Sequence, residues 1–255
     1  MSQKRIDTIL NIIKAQGYFT VKYLCEELHY STATINRDLN DLQNKKLIVR
    51  HYGGAELAQG SGSQLVFRYH KMRPVKRVIA KKAVELIKDG MTIFIDGATT
   101  TQYLGQYIKP YKNLKVITNN INLVSHLSEM DIECICLGGK IIESPYMTGG
   151  IDAVKQARSY IADLAFFATR SITDDGKILE NDGYYELRQT MIENAKKSVF
   201  LVDHQKINIP EQRILCTLSD IDVIITDYIF PDKVKAQYPD TEFIEVKTPK
   251  TQETV

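Results

Sequence analysis

Two groups of residues in this 255-residue chain carry types and spacings that could do chemistry. The first is Asp96-Gly97-Ala98-Thr99-Thr100-Thr101. Small residues let a backbone approach a ligand, free N–H groups at a helix start favour a phosphate, and three hydroxyls add donors at the same place. The Gly-Lys-Ser/Thr ending of a Walker loop is absent. The plainer alternative is Thr99 as an ordinary helix N-cap. Thr118-Asn119-Asn120, Gly138-Gly139-Lys140 and Asp203-His204-Gln205-Lys206 each follow an apolar run in the same way. As a set, the four segments suit a small anion that also carries hydroxyls, such as a phosphorylated sugar. Lys206 would be its point charge, unless it is merely a surface lysine.

The second group is Ser31, Thr32, Ala33, Thr34, Asn36, Arg37 and Asn40. Beyond the N-cap candidate Ser31, most of these lie off an Ile35/Leu39/Leu42 stripe, near the start of a helix. Asn can bridge adenine and Arg can bridge guanine in the major groove of DNA. Arg50 and His51 follow on a short strand, placed to meet phosphate. The bland reading of Arg37 is a surface ion pair with Asp38 or Asp41, neither at the favoured helical spacing.

Positioning these side chains requires two kinds of scaffold. Ile6, Ile9, Leu10 and Ile13 mark one helix ended by Gly17, and Val21, Leu24, Cys25 and Leu28 a second one capped by Thr20. The third opens at Ser31 after a tight turn, which is the helix-turn-helix layout. Leu47–Arg50 and the Tyr52-Gly53-Gly54 turn predict a wing. Ala58–Gln64 reads as a flexible linker, and the charges of Arg68–Lys82 as the wet face of a helix. From Met91 onward, apolar runs at Thr92–Ile95, Leu114–Ile117, Ile132–Leu137, Leu164–Ala168, Ser198–Val202 and Val223–Thr226 alternate with helical spacings, and Phe243–Val246 reads as a candidate late strand. This predicts a mostly parallel α/β sheet with helices on both faces, whose ligands bind beyond the strand carboxyl ends.

Composition sets bounds. Hydrophobic residues make up 44% and charged residues 25%, which is the balance of a globular chain. No apolar run approaches the ~18 residues of a membrane span, and the first residues lack a secretory h-region. Four cysteines are too few for a disulfide scaffold, so a cytoplasmic, reduced setting is expected. The net charge of +2 conceals 15 Lys and Arg against 6 Asp and Glu in residues 1–82, with 18 against 25 in the remainder. Such asymmetry suits a polyanion-binding segment or a solvated basic surface. Cys134 and Cys136 share one strand face and are expected in the core, and the five histidines have no zinc-ligand spacing.

Ser31-Thr32-Ala33-Thr34-Ile35-Asn36-Arg37-Asp38-Leu39, followed by Arg50-His51-Tyr52-Gly53-Gly54-Ala55, closely resembles the signature of the DeoR family of bacterial transcription regulators. Asn36 stands where the family usually has the first of two arginines. The likeness continues through the Asp96 loop, Thr118-Asn119, Leu137-Gly138-Gly139, Glu186 through Met191-Ile192, and Asp203 with Lys206. Ala98, His204-Gln205 and Thr169-Arg170 depart from it. The resemblance implies a winged helix-turn-helix domain at 1–57, a linker at 58–74 and a ribose-5-phosphate isomerase-like sensor domain at 75–250. It implies a double-stranded DNA operator, repression, and a phosphorylated sugar as effector. Asp96, Gly97, Ala98, Thr99, Thr100, Thr101, Asn119, Gly138, Gly139 and Lys206 are the expected effector contacts.

A dimer or tetramer is expected, because paired recognition helices must sit one DNA turn apart. No cofactor, metal or membrane partner is implied. The rival reading is a sugar-phosphate isomerase-like enzyme, with Asp174, Asp175, Glu186 and Lys206 supplying acid, base and cation. An isomerase, however, has no need of a basic helix-turn-helix.

Overall fold

Two side-chain caps set where the second and third N-terminal helices begin. Thr20 Oγ1 accepts from the Tyr23 backbone N–H at 3.0 Å, and Ser31 Oγ accepts from that of Thr34 at 3.3 Å. Each satisfies a donor that a helix start leaves without an intrahelical partner. The computed structural model describes residues 3–16, 18–45, 47–51, 53–57, 72–143 and 147–248. In it, α1 spans Gln3–Gln16, α2 Val21–Leu28 and α3 Thr32–Asn44. Gly17, expected to end α1, lies outside the described residues. His29 takes a left-handed φ of 54° and closes the turn between α2 and α3.

Strands β1 (Tyr18–Thr20), β2 (Ile48–His51) and β3 (Gly54–Leu57) form an antiparallel sheet in the order β1-β3-β2. The wing therefore starts one residue later than expected. It also includes β1, which is too short to show an alternating pattern in the sequence. Gly53, with φ of 79°, supplies the left-handed turn between β2 and β3. Ile6, Ile9 and Ile13 of α1, Leu24 of α2, and Ile35, Leu39 and Leu42 of α3 close one core with Phe19, Ile48 and Ala55. Fully buried Asp38 on α3 accepts from Arg5 on α1, from Nη2 to Oδ1 at 2.9 Å and from Nε to Oδ2. Arg5 also stacks over the Tyr30 ring, with 4.6 Å between guanidinium carbon and ring centroid.

Residues Met1–Lys71 and Met72–Val255 are separate compact units. The second opens with α4 (Arg73–Ala83), inside the last residues of the expected linker; residues 58–71 lie outside the described residues. Strands β4 (Thr92–Ile95), β5 (Lys115–Thr118), β6 (Glu133–Cys136), β7 (Lys140–Glu143), β8 (Met147–Gly149) and β9 (Leu164–Phe167) follow. After them come β10 (Ser171–Ile172), β11 (Lys177–Glu180), β12 (Ser198–Val202), β13 (Arg213–Thr217), β14 (Val223–Thr226) and β15 (Glu242–Glu245). The intervening helices are α5 (Ile121–Ser128), α6 (Ile151–Arg158), α7 (Asp182–Glu193) and α8 (Asp232–Lys235).

Seven strands pair in parallel in the order β15-β14-β12-β9-β4-β5-β6. Each matches one of the apolar runs, and the inner strands, covered on both faces, read as continuous apolar stretches. Every residue of β9, β12 and β14 is buried. Phe94, Ile117 and Ala165 of the sheet pack with Ala153, Val154 and Ala157 of α6 and Met191 of α7. Phe167, Phe200 and Ile224 instead pack with Ile172, Ile178 and Leu215 from an antiparallel sheet, β10-β11-β13, that the sequence reading lacks.

Two expectations need correction. The helix expected to open at the end of the Asp96 loop is a short 3-10 turn, Thr101–Gln106, which carries Tyr103 and Leu104. Gly105 disfavours a regular helix there, and a Cβ on it would come within 2.7 Å of Leu123. Cys134 and Cys136 are not core residues. They lie on the edge strand β6, Cys134 half-buried and Cys136 exposed.

Candidate functional site

The outer face of α3 is built by what its inner face engages. Asp38 is held by Arg5 and is therefore no partner for Arg37; Arg37 is exposed and pairs with neither Asp38 nor Asp41 among the described residues. Thr32, Ala33 and Asn40 are also exposed, and Asn36 is half-buried. Ser31 and Thr34 share a hydroxyl–hydroxyl bond of 3.0 Å, and the Cys25 thiol donates to Thr32 Oγ1 at 3.7 Å. Arg50 on β2 donates from Nη1 to Asn40 Oδ1 and from Nη2 to Asn36 Oδ1. Three expected DNA contacts thus form one clamp between helix and wing. The oxygen that Asn36 would use in a bidentate adenine contact already accepts from Arg50. His51 ends β2, and its side chain lies outside the described residues.

In the second unit, the carboxyl end of β4 runs directly into Asp96, whose carboxylate organises the loop. Oδ1 accepts from the Ala98 N–H at 3.1 Å and the Thr101 hydroxyl at 2.6 Å. Oδ2 accepts from the Ala168 N–H at 3.3 Å and from Arg188 Nε at 2.6 Å. Arg188 on α7 also donates from Nη1 to Glu180 at the end of β11. Burial opposes the charge on Arg188, but the carboxylates of Glu180 and Asp96 outweigh it, and its pKa is raised.

Beside this ion triad lies an open pocket of about 230 Å³, in which Asp96, Gly97, Asn119, Tyr184 and Arg188 meet the apolar Met147, Leu187 and Met191. Asn119 donates from Nδ2 to the Thr148 carbonyl at 2.7 Å. Its Oδ1 is buried with no hydrogen-bond partner among the described residues. Gly97 fits close under Met147: a Cβ there would lie 2.4 Å from the methionine methyl carbon.

Thr99 and Thr100, both buried, carry lysine ammonium groups. Lys76 Nζ donates to Thr99 Oγ1 at 3.0 Å. Lys206 Nζ lies 3.5 Å from Thr100 Oγ1 and donates to the Thr169 carbonyl at 2.9 Å. Asp203 caps the 3-10 turn that carries Lys206, accepting from the Gln205 N–H at 3.2 Å.

The structure thus brings Asp96, Gly97 and Asn119 together at the pocket, and Thr100 together with Lys206. Gly138 and Gly139 are not among the pocket-lining residues. Gly138 donates to Gln156 Oε1 at 3.1 Å. Gly139, at φ of 134°, packs so that a Cβ would lie 2.5 Å from the Gly149 carbonyl oxygen. Of the rival acid–base set, Asp175 engages Thr173 and Lys177, Asp174 donates its N–H to Asn208, and Glu186 is exposed. Among the described residues no group of His, Cys, Asp and Glu is arranged to hold a metal ion, and no helix is long and apolar enough to cross a membrane.

Arg188, Glu180 and Lys76 were not anticipated. The charges of Arg68–Lys82 were expected on a wet helix face, and Arg73, Arg77 and Lys81 are exposed, but Lys76 is buried. The signal was its spacing: Lys76 shares a stripe with Ile79, Ala80 and Ala83.

A family model described as the DeoR-like helix-turn-helix domain matches residues 5–60, and one described as the DeoR C terminal sensor domain matches residues 72–228. The chain is 33% identical over 234 residues to the glycerol-3-phosphate regulon repressor of Escherichia coli (strain K12), covering 88% of this chain and 90% of that one. It is 30% identical over 230 residues to the HTH-type transcriptional repressor GlcR of Bacillus subtilis (strain 168), covering 88% of each. Partial fold likenesses include a ribose 5-phosphate isomerase from Methanocaldococcus jannaschii, at TM-score 0.40 and 21% identity over 53% of this chain and 55% of that one. Another is eIF2B delta from Chaetomium thermophilum, at TM-score 0.46 and 18% identity over 66% and 61%.

Proposed function

The chain belongs to the DeoR family, and from that premise we propose that it is a sequence-specific DNA-binding repressor of sugar or carbohydrate metabolism genes whose operator affinity a phosphorylated sugar modulates. Residues 1–57 bind the operator and 75–250 the effector, with 58–74 joining them. The protein acts in the cytoplasm, as a dimer or tetramer, by binding without turnover.

One observation carries the effector half: Asn119 Oδ1, buried without a hydrogen-bond partner among the described residues, at a pocket that also holds Arg188. An unsatisfied buried acceptor costs about 1–3 kcal/mol, which a ligand hydroxyl would relieve. Asn119 and Arg188 in the pocket lining are groups that can engage the hydroxyls of a polyol chain. Lys206 at Thr100 supplies the cation for its phosphoryl end. Thr99 and Thr101 belong to the same loop, and Asp96 holds that loop in shape. On the DNA side, exposed Arg37 is the available guanine reader, with Thr32, Ala33 and the Arg50 clamp beside it.

The two halves are linked by a coupling free energy, typically about 1–3 kcal/mol or roughly 5–150-fold in affinity. The test is selection of fragmented genomic DNA from the source organism on the purified protein, with and without a mixture of sugar phosphates. Enrichment of a few sites, altered by the mixture, is expected. No enrichment in either condition, together with turnover of a sugar phosphate, would replace this reading with that of an isomerase-like enzyme.

A further inference from the structure

We propose that Arg50 sets which bases Asn36 and Asn40 read. By engaging both amide oxygens it turns their NH2 groups toward the DNA, so that the pair selects guanine and thymine over adenine and cytosine. This rests on the reading of α3 as the helix that contacts the operator.

Asn36 and Asn40 stand one turn apart on α3, off its buried Ile35, Leu39 and Leu42 stripe. Arg50 reaches both from β2, with Nη1 donating to Asn40 Oδ1 and Nη2 to Asn36 Oδ1. A guanidinium carries only donors, so each amide can meet it only through its oxygen. The NH2 group, on the other branch of the same carbon, is then the one directed away from Arg50. The planar fork holds two amides at once, which a single ammonium on a flexible stem does not do rigidly. Arg37, exposed on the same helix, also carries only donors. The three side chains thus present N–H groups and no acceptor that Arg50 does not already engage.

Base edges in the major groove differ in sign. Guanine offers the acceptors O6 and N7 and thymine the acceptor O4, whereas adenine N6 and cytosine N4 are amino donors. An amide NH2 facing O6 or O4 forms a bond; facing an amino group it leaves two donors opposed and both unsatisfied. An unclamped asparagine behaves differently, bridging adenine N6 and N7 with its oxygen and nitrogen together. Here adenine N6 would have to share an oxygen already held by a cation. The clamp depends on the residue at position 36, since an arginine there would give Arg50 no acceptor.

The test is enrichment of randomised duplexes on the full chain, sequenced after selection, for wild type, Asn36→Asp and Arg50→Lys. Arg37→Ala locates the base pairs that Arg37 reads. Asn36→Asp keeps one oxygen for Arg50 and replaces the outward NH2 by a second oxygen. At the pair it contacts, the preferred base should therefore invert across the strands, guanine becoming cytosine or thymine becoming adenine. Arg50→Lys should reduce the preference at the Asn36 and Asn40 pairs by about fivefold or more, the lower end of what a good base contact supplies, while the Arg37 pairs keep theirs. Preference in Asn36→Asp that is unchanged, or lost without inversion, would overturn the proposal. So would a preference in Arg50→Lys that is unchanged, or reduced at all pairs alike, as a merely structural role would give. If Asn36→Asp enriches no sequence, Asn40→Asp and Arg50→Lys decide in its place. Failure of the wild type to enrich any sequence would count against the DNA-binding reading itself, and the proposal would fall with it.

Discussion

Arg188 donates from Nε to Asp96 Oδ2 across 2.6 Å, tying α7 to a loop 92 residues earlier in the chain. The same guanidinium serves Glu180, and all three side chains are buried. Breaking a buried ion network by removing one partner costs about 3–5 kcal/mol, because the remaining charge is left uncompensated. Arg188→Met should therefore lower the denaturation midpoint of the second unit and abolish sugar-phosphate binding. Unchanged stability in a denaturant titration would show that Asp96 and Glu180 do not depend on it.

The clamp of Arg50 on Asn36 and Asn40 separates two roles on one surface. Arg37→Ala should abolish specific operator binding while leaving effector binding alone, since a bidentate arginine contact is worth about 1–3 kcal/mol of base discrimination. Asn36→Ala releases one arm of Arg50 and should alter sequence preference more than total affinity. Binding to a randomised duplex library, sequenced after selection, distinguishes these. Retained preference in Arg37→Ala would remove it from the reading face.

Asp38 is the charged anchor of the N-terminal core, completely buried and engaged by Arg5. Asp38→Ala leaves Arg5 without its carboxylate and opens space beneath α3. A loss of about 3–5 kcal/mol is expected, enough to unfold much of this small unit. Circular dichroism melting of the full chain should show an early transition with the sensor transition preserved. A single unshifted transition would contradict the assignment.

Asp163 carries a pH dependence of definite sign. The Lys196 ammonium at 2.8 Å and the Thr92 N–H at 2.9 Å hold its pKa below the usual carboxylate value. The folded pKa being the lower one, its contribution is present above the unfolded value and is lost as pH falls through the folded value. Asp163→Asn should be less stable than wild type at neutral pH, with the two curves converging in acid. Parallel curves of unfolding free energy against pH would deny Asp163 that role.

The inner parallel strands were legible because burial on both faces writes itself as short unbroken apolar runs, and the edge strands β6 and β15 because Ile135 and Phe243-Ile244 still mark them. β11 and β13 were not, since their apolar stretches, Ile178-Leu179 and Ile214-Leu215-Cys216, are only two and three residues long. The helix caps Thr20 and Ser31 could be read because their chemistry is local. The partners of Asp96 could not: Ala168 and Arg188 are distant in sequence, and nothing in DGATTT says that its aspartate is occupied from within. Asn36 and Asn40 looked like readers of bases, yet only the fold brings Arg50 onto them. Thr100 and Lys206 were grouped by the rule that strand carboxyl ends converge, and they do meet. Gly138 and Gly139, grouped by the same rule, are instead spacers for Gly149 and Gln156.

The position of β4 inside the sheet, between β9 and β5, bears on how the chain is made. One neighbour, β5, follows within a short stretch, but the other, β9, lies far downstream, and β12 and β14 later still. The N-terminal core, by contrast, closes with residues no later than Ala55. Domains generally fold as units in the order they are synthesised, and long-range parallel pairing is slow. A nascent chain therefore completes its DNA-reading surface well before the ribosome has supplied the strands that close the sensor. A prematurely terminated product would carry the completed N-terminal core without the unit that the sensor-domain model matches.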